Sequence, residues 1–376
     1  MLRAVALLAA CGVALPASIS DAIDLPKSGW LAARDYGLRA AVDEAAWDAR
    51  VARLHGGRQR CDGAADAAAC VRALVGERRA KCQFGGTTDC EGLDALSNFF
   101  WRCERGVAIE LGGLDGVRAS ETLLLQNAAL FRRVVIDASP ILREARRARA
   151  PDVAGVDAAV CSNNRSAPSE LHFLAAKRFP EISGVAEFLS EVSLRQYHPR
   201  VFEFWERARR DWARVDWRAL DAALDADDAD ESLGGALARA RRGRSVVGVA
   251  CAPLAQILRA LGGISRVDLL VLDVEGAELE VLRSIDFRAT RFGVIVVETF
   301  SPMMGTRPAD FHARVVALMA ELAPEYLVWR EPGSHRPATL EQAGRNTWFV
   351  HSRFRASSMD APSACTFRDA ARRRPV

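Results

Sequence analysis

Lysine is nearly missing from this chain of 376 residues: Lys27, Lys81 and Lys177 are the only three, and arginine supplies the rest of the 51 basic side chains. With alanine abundant throughout, this reads as a GC-rich coding bias rather than as a phosphate-binding device. The net charge is only +3 and no basic stripe is interleaved with aromatic residues, which excludes a nucleic-acid-binding surface. The nine cysteines contain no C-x-x-C pair, which argues against a zinc site. No Ser-His-Asp arrangement is visible: the six histidines are scattered, and His172, His198, His335 and His351 have no motif around them. Past the N-terminus, no apolar run reaches the roughly 20 residues that a bilayer span requires.

Half of the residues are hydrophobic, enough to bury a full-size core in one main domain with additions. Arg3 is followed by an apolar stretch from Ala4 to Leu15 and by small residues up to Ser20, before the first acid, Asp21. This pattern predicts a signal peptide over residues 1–20 and a secretory or extracellular location, with an organelle transit peptide as the alternative. Cys11 lies within that segment. Eight cysteines remain, five of them between Cys61 and Cys103, so the helical and loop-like region 21–105 is expected to be stapled by disulfides of open connectivity. Cys161 and Cys251, near predicted strand ends, read as ordinary buried thiols. Asn164-Arg-Ser166 is a glycosylation sequon in an expected surface loop.

The stretch from Arg266 to Thr299 carries the most information, because it reads as a strand-helix-strand unit with acids at both strand ends. Val267 to Leu272 form a near-continuous apolar run, as in a strand buried on both faces, and stop at Asp273, Glu275 and Gly276. Ala277, Leu279, Val281 and Leu282 continue at helical spacing, and Phe292 to Val297 form a second buried strand ending in Glu298. Ligands of open α/β sheets sit outside the carboxyl ends of the strands, so Asp273 and Glu298 should face one crevice. Upstream, Gly106 to Leu111 run into a G-G-L-D-G turn and a helix over Val117 to Leu130. Val134 to Ile136 then end in Asp137, placed to accept hydrogen bonds from the two hydroxyls of a ribose. A third run, Val153 to Val160, carries Asp157 and Ala158. Further strands are expected at Val246 to Cys251, Tyr326 to Arg330 and Thr347 to His351, the last two as an antiparallel closing pair. Together these predict an α/β fold with a mostly parallel, doubly wound sheet.

Six blocks in this order resemble the FkbM-type methyltransferases, a branch of the S-adenosylmethionine-dependent Rossmann-like enzymes. They are Glu110 to Thr122 (E-L-G-G-L-D-G-V-R-A-S-E-T), Val134 to Pro140, Asp157 to Cys161, Gly184 to Ser190, Cys251 to Leu254, and V-D-L-L-V-L-D-V-E-G-A-E-L-E-V-L from Val267. Gly113 stands where the family often has alanine. The resemblance implies a methyltransferase domain over 106–352 with an insertion at 162–244 and a tail at 353–376. It also implies that Glu110, Gly112, Gly113 and Gly116 line the methionine end of S-adenosylmethionine, with Asp115 supporting the turn. Asp137 would hold the ribose and Asp157 and Ala158 would lie beside the adenine. Asp273 and Glu275 would border the methyl-transfer position.

Transfer to a sugar or other small-molecule or glycan hydroxyl is the implied reaction, with Asp273 as base or metal-assisted base and Glu275 and Glu298 as further candidates. No set of metal ligands is assigned from the sequence. Phe188, Tyr197, Phe202, Phe204, Trp205 and Trp212 in the insertion could stack on a sugar, but at helical spacing they read as core. Two alternatives remain. A nucleotide-sugar glycosyltransferase would use a D-x-D metal motif, present at Asp225-Ala-Asp227 and echoed by Asp273-Val-Glu275. A non-catalytic, glycan-binding or interaction module could also keep this fold.

Overall fold

The computed structural model describes residues 91–101, 103, 106–117, 120–129, 131–139, 142–150, 153–162, 171–175, 182–227, 245–299, 308–329 and 346–356, and two-residue strands at 23–24 and 366–367. The expected signal peptide, most of region 21–105, the sequon and most of the tail lie outside the described residues.

In chain order, the strands up to the insertion are β1 (Ile23–Asp24), β2 (Val107–Leu111), β3 (Arg132–Ile136), β4 (Ala154–Val156) and β5 (Ala159–Val160). Helices α1 (Glu91–Asn98), α2 (Leu123–Ala129) and α3 (Arg143–Arg149) are interleaved with them. The insertion holds β6 (Leu171–Leu174), β7 (Gly184–Val185), α4 (Glu191–Tyr197), α5 (Pro199–Arg207) and α6 (Trp217–Asp227). Then follow β8 (Val246–Val249), β9 (Cys251–Ala252), α7 (Leu254–Ala260), β10 (Arg266–Leu272), α8 (Glu278–Arg283) and β11 (Arg291–Glu298). Helix α9 (Pro308–Leu322) leads into β12 (Tyr326–Val328) and β13 (Asn346–His351), and β14 (Phe354–Arg355) pairs with β15 (Thr366–Phe367).

The central sheet has eight strands in the order β1-β4-β3-β2-β10-β11-β13-β12. Strands β4, β3, β2, β10 and β11 are mutually parallel, while β13 runs antiparallel to both β11 and β12. The chain winds outward from β2 to β4 in one direction and from β10 to β11 in the other. The switch therefore falls between β2 and β10, where an open α/β sheet opens a crevice at its carboxyl edge. This mostly parallel α/β sheet agrees with the sequence reading and is consistent with a Rossmann-like methyltransferase.

Alternation along the strands explains why their sequences are apolar without a break. Ile109, Leu111, Leu270, Leu272, Ile295 and Val297 pack with α7, α8 and α9 on one face. Ala108, Leu269, Val271, Val294 and Val296 face Phe99, Phe100, Leu124 and Leu125 of the α1–α2 layer on the other. Each strand is covered twice, so polar positions are rare and carry a purpose. Asp268, buried within β10, is one: its carboxylate accepts the Val107 amide (2.9 Å) and a guanidinium bond from Arg266 (3.0 Å), pinning the start of β2.

Three expectations are corrected. The run Val246 to Cys251 is not a central strand: β8 joins β6 and β7 in a separate three-stranded sheet, and β9 pairs with β5. The run from Val153 to Val160 is split at Asp157-Ala158 into β4, in the main sheet, and β5, outside it. Helix α2 begins at Leu123, not near Val117, because the preceding residues wrap around the Glu110 side chain. Of the insertion's aromatic residues, Phe202, Phe204, Trp205 and Trp212, joined by Trp217, are partly buried and pack against a core that includes Leu194, Val201 and Leu220, while Phe188 packs against a second cluster and Tyr197 joins neither. Trp205, Trp212, Trp217 and His172 stack in succession, with ring centroids 5.3, 5.5 and 3.7 Å apart.

Candidate functional site

The switch-point crevice is built from two turns that meet. Strand β2 ends in the glycine turn and β10 ends at Asp273, whose amide still bonds the Leu111 carbonyl (3.2 Å). Gly112 (φ +84°) and Gly116 (φ +77°) occupy the left-handed region, as does Leu114 at +50°. A Cβ on Gly112 would overlap the carbonyl oxygen of Asp273, so the backbones approach as closely as glycine allows. At Gly113 a Cβ would meet Val135 at 2.9 Å and the Glu110 carboxyl carbon at 3.0 Å, which accounts for the smaller residue here.

Glu110 is buried and acts as the brace of this turn. Its carboxylate accepts bonds from the Ser120 hydroxyl (2.8 Å), the Glu121 amide (2.8 Å) and the Thr122 hydroxyl, and it pairs with the fully buried Arg133 at 3.1 Å. Asp115 accepts the Val117 amide at 2.9 Å. Asp137, directly after β3, reaches across to the same turn: one oxygen accepts the Leu114 amide (2.9 Å) and the other the Ser139 amide (2.7 Å). Burial pushes its carboxyl up to about 6, against the lowering pull of Arg146 and of the two amides. Each of its oxygens keeps a second lone pair, the acceptor capacity that a ribose diol would need.

Asp157, one turn further along the edge, is clamped by ion pairs to both Arg143 and Arg146. Arg146 is buried and also donates to the Leu114 carbonyl (3.1 Å), so it ties Asp157 to the glycine turn. Ala158 is buried beside it. Arg146 thus joins Asp157 to Leu114 of the glycine turn, and Asp137 holds the same residue through its amide.

On the other side of the switch point four acids converge. Asp273 ends β10, Glu275 occupies the following turn, Glu298 ends β11, and Glu278 opens α8. Oxygens of Asp273, Glu275 and Glu298 lie within 4.8 Å of one another. Glu275 sits at φ +52°, uncommon for a residue with a Cβ. Glu278 is fully buried, and its Oε1 accepts the amides of Val274 and Gly276, both at 3.2 Å. Burial, opposed by those amides and helped by Asp273, pushes its carboxyl up to about 7. Glu298 lies well above the usual carboxylate range, first through burial and then through Asp273, Glu275 and Glu278. Acids this close raise one another's proton affinity.

The insertion roofs this corner. A Cβ on Gly184 would touch the Glu275 Cβ at 3.8 Å, and one on Gly276 would meet the Phe188 carbonyl at 2.9 Å. Cys161 and Cys251 form a disulfide, with Cα atoms 5.9 Å apart, that fastens β5 to β9 beneath the insertion. This corrects their reading as ordinary thiols; Cys103 is disulfide-bonded too. The D-x-D pair Asp225 and Asp227 lies on the last turn of α6, not at a strand end.

Sequence reasoning missed Glu278, Arg146 and Arg133. Glu278 looks like any acid in the first turn of a helix, and the arginines are lost among many others. The one available signal was position: Glu278 falls between Ala277 and Leu279, both facing the core.

Residues 206–326 match the family model of the methyltransferase FkbM domain. The matched span runs from α5 through β10, β11 and α9 into β12, and so takes in the four acids. The glycine turn, Asp137 and Asp157 precede it. No curated protein and no solved structure matches the chain.

Proposed function

We propose, from the FkbM-domain match over residues 206–326 as premise, that this chain is an S-adenosylmethionine-dependent methyltransferase acting on a hydroxyl of a sugar or another small acceptor. The observation that carries the reading is the meeting of Gly112 with Asp273 at the switch point between β2 and β10, inside which a nucleoside ligand of this sheet type sits. The donor set fits such a cofactor. Asp137 offers an acceptor on each carboxylate oxygen toward a ribose diol, and the acids beyond Gly112 suit a cationic sulfonium end.

When bound, S-adenosylmethionine supplies a methyl group already activated on sulfur, so the chain has to position and deprotonate. Asp137 and the amides of the glycine turn orient the nucleoside. The 184–190 roof excludes water over the acids and leaves the acceptor between itself and Asp273. Asp273 would accept the acceptor's hydroxyl proton, the one proton that methylation of that oxygen releases. The Cys161–Cys251 disulfide supports placement in an oxidising, secretory compartment.

The test is transfer of labelled methyl to a panel of sugars and small hydroxyl compounds. Asp273→Asn should abolish transfer while cofactor binding persists. Transfer that survives in Asp273→Asn would remove it from the role of base.

A further inference from the structure

We infer that Asp273, Glu275 and Glu298 hold one hard divalent cation, of the Mg²⁺, Mn²⁺ or Ca²⁺ class, at the roofed end of the crevice. The three carboxylates come from three separate pieces of backbone, yet one oxygen of each lies within 4.8 Å of the others. Metal–oxygen bonds of about 2.1–2.5 Å place the ligands of one such ion within about that span. The donor set is all oxygen, with neither His nor Cys, which selects hard cations over zinc or copper.

An independent observation points to the same corner. Glu278 is fully buried, and while its Oε1 is held by two amides, its Oε2 meets no donor among the described residues. The buried Oε2 of Glu298 likewise meets no hydrogen-bond partner among them. A buried carboxylate oxygen of this kind is ordinarily compensated by a cation or a hydrogen-bond donor. Glu278 bonds the amides that flank Glu275, so it positions the turn from behind the ligands. The remaining coordination positions would face the roof, where two neighbouring hydroxyls of an acceptor could chelate the ion.

The proposal concerns binding alone and does not depend on methyl transfer, so either can fail while the other stands. Full-length protein stripped with chelator and then dialysed is titrated with Mn²⁺, without cofactor, by calorimetry and by the loss of the free-ion Mn²⁺ resonance signal. One Mn²⁺ per chain is expected, with competition by Mg²⁺ or Ca²⁺. Glu275→Gln, in a partly exposed turn and so least disturbing to folding, and Glu298→Gln should each remove the site. Glu278→Gln should weaken it about 10–100-fold. Circular dichroism confirms that each variant is folded. Absence of stoichiometric Mn²⁺ binding, or binding unchanged in folded Glu275→Gln, overturns the proposal; the first outcome would leave an organic cation as the occupant.

Discussion

Asp137 shows how one carboxylate can brace a turn and still keep acceptor capacity. It fastens the left-handed Leu114 turn from the next strand, and burial raises its carboxyl from 3.8 to about 6. A folded-state value above the unfolded one means that its contribution to stability is fully present below 3.8 and is lost as pH rises through about 6. Urea unfolding of wild type and Asp137→Asn, compared from below 3.8 to above 6, should therefore show wild type losing ground to the variant as pH rises. Cofactor affinity should move the other way, since the ionised group is a pure acceptor for two hydroxyls. At this scale the strand-end acids Asp137, Asp273 and Glu298 were legible, because a buried apolar run that stops at a carboxylate marks the sheet edge. Glu278 was not, since its burial depends on the turn folding back over it.

The glycine turn and the 273–276 turn work as a pair of elements. Gly112→Ala should cost about 3 kcal/mol or more, because φ +84° disfavours a side chain and the new methyl would overlap the Asp273 carbonyl. Chemical denaturation reads that loss; a cost under about 1 kcal/mol would mean that the two turns do not meet as described. The same scale explains which elements the sequence hid. A V-V-G-V run specifies a strand but not its partner, so β8 was assigned to the central sheet when it pairs with β6. Helix α2 starts late because Glu110 captures Ser120, the Glu121 amide and Thr122, a competition that helical periodicity does not register.

Across the whole molecule, the mostly parallel α/β character of the central sheet was legible in the sequence because double burial leaves a continuous apolar pattern, although the order of its strands was not. The insertion's β6–β7–β8 sheet and the Cys161–Cys251 link were not legible either, since both depend on partners distant in the chain, 90 residues apart for the disulfide. Replacing both cysteines by serine should lower stability by about 2–4 kcal/mol, read as a lower thermal midpoint that reductant reproduces in wild type. The loss should be accompanied by a less protected roof over the acids in hydrogen exchange.

The central claim is that the switch-point crevice receives S-adenosylmethionine. Its most direct test is calorimetric titration of the full chain with S-adenosylmethionine in the presence of chelator, for wild type and Asp137→Ala. The account predicts one site per chain whose affinity falls sharply in the folded variant. No heat of binding from folded wild-type protein, or equal affinity in Asp137→Ala, would contradict it.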